Sequence, residues 1–181
     1  MSARTHGARG HCILSHGFES DPDATKVTAL ADAAQRLGWT HERPDYTVYD
    51  SQRDKGEYGD VPARLDHLLL LARAAAQRGP LLLAGSSLGA YISGLASLQV
   101  PVTALFLMAP PIRNGQPRPF NAADVPVSIV HGWDDELIPV QQVIAWAQPR
   151  RARLLLVDDS HRLGDHVAAS TQAFVELLDR F

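Results

Sequence analysis

Along the chain, short uninterrupted runs of apolar residues alternate with longer stretches in which apolar residues recur every three or four positions. Uninterrupted runs suit strands covered on both faces, and the longer recurrence suits helices with one buried stripe. The pattern predicts strands at His11–Ser15, Tyr46–Asp50, Pro80–Ala84, Thr103–Met108, Val127–Val130 and Arg153–Val157. It predicts helices at Asp23–Leu37, Val61–Arg78, Leu88–Leu98, Val140–Ala147 and His166–Arg180. Strands that alternate with helices are joined by crossovers, so the expected fold class is α/β, an open parallel sheet of about six strands with helices on both faces. "YTVYD" (46–50) alternates apolar and polar and is expected near an edge of that sheet. "RLDHLLLLARAAAQR" keeps leucine and alanine at helical spacing and is ended by Gly79-Pro80. Residues Ala109–Pro126, rich in Pro, Gly and Arg, are expected to form a loop, and the chain holds no internal repeat.

Composition narrows the function classes. At 181 residues without a Pro/Gly/Ser-rich linker, the chain is expected to be a single domain over residues 1–181. Seventeen basic and twenty acidic residues leave a formal charge of −3 without patches, which gives nucleic acid nothing to bind. The single cysteine, Cys12, lies in the apolar run "CIL" and fits a buried side chain in a reducing compartment. The first ten residues are polar, and no segment approaches the ~18 apolar residues of a membrane span. A cytoplasmic protein without a membrane partner is expected, of a size and charge that leave its oligomeric state open.

One short stretch changes the picture. In "LLLAGSSLGAYISG" a buried strand runs into Gly85-Ser86-Ser87-Leu88-Gly89, and helical spacing follows at once. G-x-S-x-G at a strand-to-helix turn can hold its serine on a strained elbow above the carboxyl ends of the strands, the glycines leaving room for strand and helix to meet. The alternative is an ordinary turn with a serine near a helix start. Neither G-x-x-x-x-G-K-[ST] nor G-x-G-x-x-G is present, so a phosphate loop is disfavoured. A serine hydroxyl is a weak nucleophile until a base takes its proton, and the base needs a carboxylate to orient it. Downstream, the strand "VSIV" is followed by "HGWDDELIP" (131–139), and the strand "LLLV" by "DDSHRLGDH" (158–166).

These three motifs, in this order, resemble those of the α/β-hydrolase superfamily, and in particular its small bacterial, esterase-like and dienelactone-hydrolase-like members. The acid-bearing turn there reads H-G-x-x-D-x-x-[VI]-P, which favours Asp135 over its neighbour Asp134. The superfamily keeps its histidine in the loop after the last strand, which favours His161 over His166 at the start of the final helix. The resemblance therefore implies a catalytic set of Ser87, Asp135 and His161. Asp158 and Asp159 are expected to be solvated loop residues, either of which could cap or position that loop. It also implies an oxyanion hole made by the amides of Leu88, at the positive end of its helix, and Phe18, after His16-Gly17 in "ILSHGFESDPDATK". Phe18, Trp133, Met108 and Leu137 are the bulky candidates to line the substrate site. His6, His11, His41, His67 and His131 have no metal-ligand spacing, and no metal or other cofactor is implied.

Two departures shape the expected function. The sequence starts where the superfamily usually has its third strand, so a minimal parallel sheet is expected. Too few residues separate Met108 from Val127 for the helical cap of many relatives, so the site should be open and suit small or surface-presented acyl groups. Dienelactone hydrolases use cysteine where this chain has Ser87, so their lactone specificity does not carry over. The expected activity is a serine carboxylesterase acting on a small-molecule ester, with thioesters, lactones or amides as alternatives on the same site. A non-catalytic binding protein on a hydrolase scaffold, and a flavodoxin-like nucleotide binder, are the competing readings, and the second leaves the ordered Ser, Asp and His unexplained.

Overall fold

A computed structural model describes residues 8–113 and 118–181. His6 and residues 114–117 of the predicted loop lie outside the described residues. Six strands form one parallel sheet: β1 (His11–Ser15), β2 (Thr40–Glu42), β3 (Leu81–Ser86), β4 (Ala104–Met108), β5 (Val127–Gly132) and β6 (Arg153–Val157), in the order β2-β1-β3-β4-β5-β6. The helices are α1 (Thr25–Arg36), α2 (Thr47–Asp50), α3 (Val61–Ala76), α4 (Leu88–Ser97), α5 (Val140–Arg150) and α6 (Val167–Leu178).

Strand parity divides the core. Ile13, Leu83, Leu105, Leu107 and Ile129 point to the face covered by α3, α4 and α5. Cys12, Leu14, Leu82, Phe106, Met108 and Val130 point to the face covered by α1 and α6. Both faces are dry, which is why these strands carry apolar residues at odd and even positions alike. Each fully buried Leu or Ile side chain is worth about 1.5–3 kcal/mol relative to exposure. Burial also pushes the Cys12 thiol far up, as suits a structural residue. Helix α4 is buried along its whole length, and its sequence LGAYISGLAS contains no charge. Helix α3 starts where Asp60 accepts the amide of Ala63 at 2.9 Å, with Pro62 in the first turn.

One predicted strand is corrected. Tyr46–Asp50 forms the short helix α2 and its preceding turn, and the edge strand is instead Thr40–Glu42, paired with His11–Ile13. Asp45 takes the amide and hydroxyl of Thr47 at 2.9 and 2.7 Å, which starts a helical turn. Tyr46 and Asp50, four residues apart, then fall on one buried side while Thr47 and Val48 face solvent. Between β4 and β5 no helix occurs among the described residues, so those residues place no helical cap over the carboxyl edge of the sheet. No described helix is long and apolar enough to cross a membrane.

Candidate active site

Strand β3 ends at Ser86, and Ser87 turns the chain into α4 with φ 52° and ψ −117°. A non-glycine residue there stores about 1–3 kcal/mol of backbone strain. The surroundings hold it: the Ser87 amide donates to the Met108 carbonyl at 2.8 Å, and the Ser87 carbonyl accepts the Tyr91 amide at 3.0 Å. A Cβ on Gly85 would sit 2.3 Å from the carbonyl of Gly89, and one on Gly89 would sit 2.1 Å from the carbonyl of Ser15. Only glycines let β3, β1 and the start of α4 come this close.

Asp135 and His161 meet Ser87 from the ends of β5 and β6. His161 Nδ1 lies 2.8 Å from Asp135 Oδ2, and His161 Nε2 lies 2.9 Å from Ser87 Oγ. Burial alone would raise the Asp135 carboxyl, but hydrogen bonds from His161 and from the amides of Ile138 and Leu137, at 2.7 and 2.9 Å, outweigh it and hold the carboxyl below its usual range. An ionised carboxylate only accepts, so the imidazole proton sits on Nδ1 and the Nε2 lone pair faces the serine hydroxyl. His131 approaches the same carboxylate at 3.5 Å, but its Nε2–H donates to the Ile138 carbonyl at 2.9 Å. Burial lowers its pKa, so it stays neutral and leaves Asp135 to His161.

The His161 loop is tied at several points. Glu136 accepts the His161 amide at 3.1 Å. Asp159 accepts the amides of Ser160 and Asp165 at 2.7 and 3.0 Å, and the ring of His166 lies 3.1 Å away. Lys26 of α1 donates to the Arg162 carbonyl. A Cβ on Gly132 would sit 2.2 Å from the Asp159 carbonyl, so the end of β5 and this loop are in close contact. Asp134 is exposed and meets the loop only through its amide, which donates to the Asp159 carbonyl at 3.1 Å. His166 is held by Asp159 and lines neither of the clefts beside Ser87.

Two clefts of about 300 and 630 Å³ meet at Ser87 and His161. Both are lined by Phe18, Tyr58 and Leu137, and the smaller also by Leu88, Ile138, Pro111 and Arg113. Neither the Phe18 nor the Leu88 amide makes a hydrogen bond to another backbone or side-chain group among the described residues outside regular helix bonding. Two of the expected substrate contacts, Met108 and Trp133, lie outside both clefts. Met108 is 1% exposed and packs under α1 and α6, because its position in β4 shares the parity of Ala104 and Phe106. Trp133 is 53% exposed and lines neither cleft, since its amide bonds the Val157 carbonyl at 2.8 Å at the end of β5. The sequence reading missed Tyr58, Pro111 and Arg113, which lie in loops without periodic pattern. It also missed Glu136, whose place between Asp135 and Leu137 in the acid-bearing turn was the available signal.

No family model and no curated protein matches the chain. Among solved structures it is similar to a protein of the alpha/beta hydrolase superfamily from Xanthomonas campestris pv. campestris, at 65% identity over 96% of this chain and 100% of that one, with a TM-score of 0.94. It is also similar to an α/β serine hydrolase without lid from Xanthomonas campestris, at 23% identity, covering 93% and 81% with a TM-score of 0.70. Est1E from Butyrivibrio proteoclasticus with bound ferulic acid matches at 20% identity, covering 97% and 90% with a TM-score of 0.77. The last two likenesses are of fold alone.

Proposed function

Because the chain belongs to the α/β-hydrolase superfamily, we propose that it is a serine hydrolase of small carboxylic esters. The supporting observation is the unbroken line from Asp135 through His161 to Ser87, with both imidazole nitrogens within 2.9 Å of their partners. In this reading the Ser87 hydroxyl passes its proton to His161 Nε2 as its oxygen attacks the acyl carbon. The imidazolium so formed is stabilised by the Asp135 carboxylate. Negative charge collects on the former carbonyl oxygen, where the amides of Phe18 and Leu88 would receive it; each such donor is worth about 2.7–4 kcal/mol. Collapse of the tetrahedral intermediate expels the alcohol, which takes the proton back from Nε2. Water then repeats the sequence on the acyl-enzyme and frees Ser87.

Substrate size follows from access. The smaller cleft, about 300 Å³ and uncapped by any described helix, suits a short acyl group better than a long one that needs enclosure. Hydrolysis of p-nitrophenyl acetate by the parent and by Ser87→Ala tests the reading. The variant should lose roughly 10⁴–10⁶-fold in kcat, since the three side chains act as a unit. Retention of most of the turnover would overturn the proposal. Across a series of acyl lengths the parent should be fastest on short chains, and a maximum at long chains would contradict the open site. Thioesters and lactones assayed beside the esters rank the alternatives available to the same nucleophile.

A further inference from the structure

The loop after β1 carries one of the two proposed oxyanion donors, and the side chains that hold this loop lie outside the triad. Arg64 occupies the buried stripe of α3 together with Leu68, Leu69, Ala72 and Ala75, and its side chain is fully removed from solvent. Its Nη2 donates to the His16 carbonyl at 2.7 Å and to the Gly17 carbonyl at 3.3 Å. Its guanidinium lies 4.5 Å over the Tyr46 ring, and Nη1 faces Asp50 Oδ1 at 3.4 Å. Neither Nε nor Nη1 finds a hydrogen-bond acceptor among the described residues. Burial pushes this guanidinium down to about 10, which still leaves it charged near neutrality. A buried cation held so sparingly is expensive to keep, and its firm bonds all go to the loop.

His16 completes the clamp. The Tyr46 amide donates to His16 Nε2 at 3.0 Å, so the ring proton sits on Nδ1, which donates to the Gly17 carbonyl at 2.8 Å. The 3.2 Å approach of Arg64 Nη2 to the same Nδ1 is then a meeting of two donors and contributes no bond. Burial lowers the His16 pKa, in keeping with this neutral tautomer. On the other side of Phe18, Asp50 Oδ2 accepts the Glu19 amide at 3.2 Å, where Glu19 has a left-handed φ of 53°.

The Gly17 carbonyl and the Phe18 amide are the two ends of one planar peptide unit, with C=O and N–H pointing in opposite directions. Whatever fixes the carbonyl therefore fixes the direction of the Phe18 N–H, and donors on the carbonyl polarise the same unit. The geometry points to Arg64 and His16 as positioning residues that aim the Phe18 amide at the reacting oxygen, with Asp50 anchoring the next residue along. This inference rests on the reading of Ser87 as nucleophile and Phe18 as oxyanion donor. It adds to that reading two side chains that line neither cleft and act only through the backbone.

The test separates transition-state from ground-state effects. Arg64→Met and Arg64→Lys are assayed for kcat and KM on p-nitrophenyl acetate. They are also assayed for inhibition by a trifluoromethyl ketone, which binds as a tetrahedral oxyanion, and by the matching methyl ketone, which stays trigonal. Arg64→Met should lower kcat by about 10–100-fold, less than the ~10²–10³-fold cost of deleting a donor outright, with KM changed by less than about threefold. The trifluoromethyl ketone should weaken by the same factor while the methyl ketone does not, and Arg64→Lys should recover part of the loss. Should Arg64→Met fail to fold, Arg64→Lys and Asp50→Asn carry the same comparison. A folded variant with kcat within twofold of the parent, or an equal loss of both ketones, overturns the assignment. Activity that depends on Ser87 but is indifferent to Arg64 sinks only the positioning role, whereas turnover surviving Ser87→Ala sinks the underlying reading.

Discussion

At Asp135 the two carboxylate oxygens have separate tasks. Oδ1 takes the amides of Leu137 and Ile138 and fixes the side chain, while Oδ2 takes His161 Nδ1–H and fixes the imidazole. Asn in this place could keep the first task but not the second, because an amide NH₂ facing Nδ1 would favour the tautomer with its proton on Nε2. Asp135→Asn should therefore lower kcat by about 10⁴-fold, whereas Asp134→Asn should leave it within about twofold, and steady-state kinetics on the two variants checks both. A stability change goes with it. The folded state holds the Asp135 carboxyl below its ordinary 3.8, so ionisation favours folding above that value and the advantage disappears as the pH falls through the lower folded value. The stability gap between parent and Asp135→Asn, measured by urea unfolding, should be widest near neutrality and narrow once the pH drops below 3.8. A gap that widens on acidification would contradict the ionised, hydrogen-bonded carboxylate.

The elements matter through their ends. β1, β3, β5 and β6 deliver the His16–Glu19 loop, Ser87, Asp135 and His161 from parallel carboxyl termini, so placing each residue depends on one close junction. The tightest after the serine turn is Gly132 against the Asp159 carbonyl, where a Cβ would sit at 2.2 Å. Gly132→Ala should push the His161 loop aside, lowering kcat by roughly 10–100-fold, since ~1 Å of misplacement can cost that much. The melting temperature should fall by several degrees through overpacking. Kinetics and a thermal melt unchanged from the parent would contradict the junction's role. Legibility follows the same division. The serine elbow and the acid-bearing turn could be read because each is a local pattern with its own glycines and spacing. The edge strand could not: Thr40–Glu42 is three polar residues long. It is held to His11–Ile13 by backbone pairing and by the His11 ring, which meets Thr40 Oγ1 at 2.8 Å and Glu42 Oε1 at 3.1 Å, and neither leaves an apolar pattern. Tyr46–Asp50 looked like a strand because period 2 and a single helical turn are hard to tell apart over five residues. Met108 shows the opposite case, since its parity with Ala104 and Phe106 already decided its face. Arg64 left a trace as well, a lone cation in line with Leu68 and Ala72 on an otherwise apolar stripe.

In the whole molecule the chain leaves β1 in one direction to reach β2, then crosses back over β1 to β3 and continues to β6. The crevice of an open α/β sheet lies where that direction reverses, outside the carboxyl ends of the strands. Ser87 stands at this point, at the end of β3, with the His16–Glu19 loop of β1 beside it. Given this strand order, right-handed crossovers put α1 on one face and α3, α4 and α5 on the other, and α6, which follows the last strand, packs beside α1. The two clefts that flank Ser87 depend on loop conformations that no periodicity encodes. The claim on which the rest depends is that His161 activates Ser87. Incubation with a fluorophosphonate, followed by mass spectrometry of the digested protein, tests it most directly. One phosphonyl group per chain on the peptide containing Ser87, lost in Ser87→Ala and strongly slowed in His161→Ala, is the predicted result. An unlabelled protein, or a label on another residue, would contradict it.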